Sequence, residues 1–93
     1  MTNISIHSNK IRCDGHAGDK VACAMLTALT VSLVDNLINR LNDKVDCVLD
    51  KGLFVLDFDR NRISPAAVVL IDSYIYSLNN LTKSYPENFK IDM

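Results

Sequence analysis

The sequence predicts a small α/β domain of the α+β kind: a mainly antiparallel sheet of about five short strands with two helices, in the order β-β-α-β-β-α-β. Three observations predict it. Period-two alternation recurs in short runs separated by turn residues. Two longer segments carry helical spacing behind a capping residue. No repeat, low-complexity tract or linker divides the chain, so residues 1–93 form one domain.

Each element has its own local cause. Ile4 and Ile6 alternate with polar neighbours, Ser8-Asn9 interrupts, and Ile11 and Cys13 alternate with Lys10 and Arg12, which is a hairpin. Asp14 to Asp19 is a loop holding Gly15 and Gly18. Asp19 is placed to cap a helix from about Lys20 to Asn42, its carboxylate accepting otherwise unpaired backbone N–H groups. Val45, Cys47 and Leu49 read as a strand, Lys51-Gly52 as its turn, and Phe54, Leu56 and Phe58 as the returning strand. Ser64-Pro65 supplies a hydroxyl cap with proline at the first helical position. Ala67, Ile71, Tyr74, Leu78, Leu81 and Tyr85 then form one helical stripe, stopped by Pro86. Phe89, Ile91 and Met93 alternate as a last strand.

The bulk numbers bound the function. The chain has 48% hydrophobic and 23% charged residues, ordinary for a folded domain. Its formal net charge is −1, with no basic run, which argues against direct nucleic-acid binding. Met1 to Ile11 holds no secretory apolar region, and the mostly apolar stretch Val21 to Val34 is shorter than the roughly 20 residues that span a bilayer. A cytoplasmic protein without a membrane partner is expected, with Cys13, Cys23 and Cys47 as free thiols. The first half of helix one is apolar nearly all round, which a helix wet on one side should not be. Either it is sandwiched within its own fold or a second copy covers it, and a homodimer is the expectation.

The concentrated chemical signal is His16 and Cys23. Cys23 falls within the first turn or so of helix one, where the macrodipole favours a thiolate. His16 lies just upstream on a glycine-flanked loop, within range to take the thiol proton. Backbone N–H groups at the same helix start, Cys23's included, are candidate oxyanion donors. Other readings stay open from these residues alone. Cys23 on an apolar helix can be a small buried hydrophobe, as Cys13 and Cys47 are by their strand phase. Cys13-Asp14-Gly15-His16 is also a C-x-x-H pair, though the second pair of a structural zinc site is missing. His7 reads as solvated, and no metal or other cofactor is expected.

The segment Gly15-His16-Ala17, then Cys23-Ala24 and Thr27, resembles the signature of the ribosomal-processing cysteine proteases, the Prp family. In that family a Gly-His-Ala loop precedes a helix opening Asp-x-x-Cys-Ala-x-x-Ser. The chain length and the order of elements look like that family over essentially the whole chain. The likeness implies a homodimeric cytoplasmic endopeptidase that removes the N-terminal extension of a large-subunit ribosomal protein, and in some hosts processes phage capsid or scaffold proteins. It implies His16 and Cys23 as the catalytic dyad, with Gly15, Ala17, Asp19, Lys20, Ala24 and Thr27 binding substrate or supporting the site. Three departures stand out. His16 and Cys23 are only seven positions apart, Lys20 replaces the family aspartate beside Asp19, and Thr27 replaces the serine while keeping its hydroxyl. Two competing functions remain: a non-catalytic homodimeric module that binds a ribosomal or phage protein, and a thiol-dependent hydrolase of small acyl substrates.

Overall fold

A computed structural model describes residues 1–93. The elements are β1 (Thr2–His7), β2 (Lys10–Asp14), α1 (Lys20–Asp35) continued by a π-helical turn (Asn36–Arg40), β3 (Asp46–Asp50), β4 (Leu53–Asp57), α2 (Pro65–Ser84) and β5 (Phe89–Asp92). The strands form one sheet in the order β3-β4-β2-β1-β5, antiparallel except where β5 runs parallel to β1.

Alternation decides the two faces of the sheet. Ile4, Ile6, Ile11, Cys13, Phe54 and Leu56 are buried under the helices. Asn3, Ser5, His7, Lys10, Arg12 and Asp14 point the other way into solvent, as expected of an antiparallel sheet covered on one side. His7 is among these exposed residues, its ring bonded to the Ser5 hydroxyl at 3.0 Å. In α2, Ala67, Ile71, Tyr74, Leu78 and Leu81 are buried as one stripe, and Tyr85 is only partly buried because the helix has ended at Ser84.

Asp19 and Ser64 cap the two helices, with Asp19 Oδ1 accepting from Ala22 N–H at 2.9 Å and Ser64 Oγ from Ala67 N–H at 3.2 Å. Three sequence expectations need correction. Helix one does not run as a regular helix to Asn42. After Asp35 its hydrogen bonds lengthen to a π turn, Leu41 N–H reaching Asn36 O at 2.8 Å, and Asn42 in the left-handed region (φ 54) ends it. Val45, Phe58 and Met93 fall just outside their strands. The continuous helix Lys20–Arg40 also has 21 residues, long and apolar enough to cross a membrane by length and composition. One side of it walls the core, through Ala22, Thr30, Leu33 and Leu37.

Both helices lie on one sheet face, so helix one is not sandwiched. Its outer side leaves Val21 at 59%, Met25 at 44%, Val31 at 49% and Ile38 at 39% exposed.

Candidate functional site

The topology gathers the site at one end of the sheet. β2 is central and ends at Asp14, and its antiparallel neighbours β1 and β4 begin there. Because β5 is parallel to β1, with Phe89 opposite Thr2, its start lies there too. The loop carrying His16 therefore leaves β2 among three strand starts, and each holds it. Gly15 N–H donates to Gly52 O at 2.8 Å, Thr2 Oγ1 donates to Gly15 O at 3.2 Å, and Asn88 Nδ2 donates to Ala17 O at 2.8 Å. Gly15 has φ +99, and a Cβ there would stand 2.5 Å from Met1 O, so glycine is required at this crossing.

The fixed loop places His16 and Cys23 on the walls of one cleft of about 370 Å³. The cleft lies between the first half of α1 and the β3–β4 hairpin. Leu26, Leu49 and Phe54 make it mostly apolar, and Cys13 and Thr30 reach its floor. Both His16 and Cys23 are exposed, and no hydrogen bond joins them in this structure.

The supporting residues take different parts. Gly15 and Ala17 frame His16, with Ala17 buried to 3% exposure. Asp19 caps the helix, Lys20 is its first residue and is exposed, and Ala24 and Thr27 are exposed one turn along. Thr27 Oγ1 donates to Cys23 O at 2.8 Å, which anchors the hydroxyl to the backbone of its own helix. One expectation is overturned. Cys23 N–H cannot serve as an oxyanion donor, because it already donates to Asp19 O at 2.9 Å as the helix's fourth residue.

The other two cysteines are placed for packing. Cys13 is buried with its sulfur 3.8 Å from Tyr74 Oη, and burial pushes its thiol up to about 11. Thr30 Oγ1 lies 2.8 Å from the same phenol, and burial raises Tyr74 as well. Cys47 is half-buried, and desolvation raises its thiol too. The thiol of the C-x-x-H pair is therefore committed to the core. Leu49 and the Lys51-Gly52 turn line the cleft without any local sequence motif to announce them.

No protein-family model matches the sequence, and no curated protein matches it by sequence. Solved structures do resemble it. The ribosomal processing protease Prp from Staphylococcus aureus, with a covalently linked product peptide, superposes with a TM-score of 0.81 at 20% identity, covering 98% of this chain and 95% of that one. The same protease with a substrate peptide gives 0.80 at 19% identity, covering 98% and 95%. A Streptococcus mutans protein gives 0.76 at 18% identity, covering 98% and 90%. At this identity the likeness establishes a shared fold.

Proposed function

We propose that this chain is a cysteine endopeptidase in which Cys23 is the nucleophile and His16 the base. The observation that carries the reading is the pair's joint position on one mostly apolar cleft, in a fold shared with a protease solved with bound peptides. His16 takes the Cys23 thiol proton, and the thiolate attacks the scissile carbonyl carbon. The tetrahedral intermediate collapses as the imidazolium passes that proton to the departing amine. Water, deprotonated by His16, then releases the acyl group from sulfur and restores the thiol. No cofactor takes part.

The apolar walls fit a peptide segment with hydrophobic side chains. The substrate we infer is the N-terminal extension of a large-subunit ribosomal protein, with phage capsid or scaffold proteins as further substrates and the cytoplasm as the compartment. The exposed apolar side of α1 supports a homodimer in which a second copy covers Val21 and Met25. That same surface would serve equally in the second reading, a non-catalytic homodimeric binding module.

Incubation with the host ribosomal protein bearing its N-terminal extension separates the two. The protease reading expects one cut by the wild type, none by Cys23→Ala, and a loss of about 10²–10⁴ in rate for His16→Ala. Binding without cleavage by the wild type would establish the module instead.

A further inference from the structure

The imidazole of His16 rests on a residue without a side chain. A Cβ built on Gly52 would stand 3.0 Å from His16 Nε2, 3.1 Å from Cε1 and 3.6 Å from Cδ2, closer than side chains ordinarily approach. Gly52 belongs to the turn between β3 and β4, and its carbonyl accepts from Gly15 N–H at 2.8 Å. One residue of this turn thus contacts the His16 loop twice, through a backbone bond beside the histidine and through direct packing on its ring.

We propose that Gly52 is a positioning residue for His16, in that a bare backbone at the turn lets the ring settle on the cleft side it shares with Cys23. The inference rests on the proposed His16–Cys23 pairing. Any side chain at position 52 meets the ring, and His16 is the partner free to yield because it is exposed. The consequence is a displaced base with the nucleophile untouched, which gives a signature separate from loss of fold. Gly52 also has φ +70, so backbone strain must be controlled for. Gly18 supplies the control. It has φ +82, yet a Cβ there would find only Asn88 Nδ2, at 3.9 Å.

The test is the rate of Cys23 alkylation by iodoacetamide from pH 5 to 9, read on the Cys23 peptide by mass spectrometry. The proteins are the wild type, His16→Ala, Gly52→Ala, the double variant and Gly18→Ala, each shown to be folded by circular dichroism. The wild type is expected to show a pH-dependent limb that His16→Ala removes. Gly52→Ala should flatten the same limb, lowering the rate at pH 6.5 about tenfold, as expected when a thiolate loses its partner. It should add nothing in the His16→Ala background, and Gly18→Ala should keep the wild-type limb. A wild-type limb retained by Gly52→Ala, or an equal fall with and without His16, would overturn the positioning role and leave the pairing standing. Identical profiles for wild type and His16→Ala would remove the pairing, and the positioning role with it.

Discussion

Asn88 Nδ2 donates a 2.8 Å hydrogen bond to the carbonyl of Ala17, the residue that follows His16, across 71 positions of chain. The same asparagine accepts from Thr2 N–H through its own carbonyl at 2.9 Å. Its side chain therefore ties the His16 loop to the junction of the first and last strands. Asn88→Ala should cost about 1 kcal/mol of stability, the usual net worth of one hydrogen bond. Its larger effect should fall on kcat/KM for an extended peptide, assayed at a temperature where the variant is fully folded. An unchanged kcat/KM would mean that the loop keeps its shape without this contact.

The three thiols should react in a fixed order. Cys23 is exposed, Cys47 is half-buried with its thiol raised, and Cys13 is buried with its thiol pushed up to about 11. With limiting iodoacetamide at neutral pH, Cys23 should be modified first and Cys13 last, because the thiolate is the reacting species. Peptide mass spectrometry over time reads the order directly, and early labelling of Cys13 would contradict its place in the core.

Alkali should destabilise the fold through Cys13. Its ordinary value of 9.0 is raised to about 11 on folding. Below pH 9 both states hold the proton, and stability does not depend on it. Between about 9 and 11 the unfolded chain releases the proton while the folded one retains it, so stability falls as pH rises, by roughly 2–3 kcal/mol over the window. Tyr74, raised in the same direction, adds to the fall. Chemical denaturation at pH 8 and pH 10.5 should show the loss, and Cys13→Val should reduce it. A fall of the same size in Cys13→Val would assign the whole effect elsewhere.

The outer side of α1 should control association. Met25 is 44% exposed in an apolar surroundings of Val21 and Ala28. Met25→Glu places a charge there at little cost to a solvated monomer, so it should convert a dimer into a species near 10.4 kDa by light scattering. A wild type that already runs at that mass at micromolar concentration would dismiss the dimer.

Local chemistry was legible in the sequence where the cause is local. Asp19 and Ser64-Pro65 mark their helix starts because a cap acts within three residues. Period-two alternation placed Cys13 in the core, and the spacing of Tyr74, Leu78 and Leu81 did the same for α2. The π turn was not legible, since the apolar pattern runs through Leu37 without a break. Nor were Thr2, Gly52 and Asn88, which reach the His16 loop through strand order rather than through any motif. One error had a local remedy. Counting four residues back from Cys23 leads to Asp19, whose carbonyl takes the N–H that had been offered to an oxyanion.

The parallel pairing of β5 with β1 has a consequence for synthesis. Thr2 and Gly52 are made before Asn88, so the last of the three tethers on the His16 loop forms only when β5 meets β1. A nascent chain can display Cys23 on its helix long before that moment. The loop that carries His16 is fully tied down only after β5 has been made and has docked, so it settles later than the helix beside it.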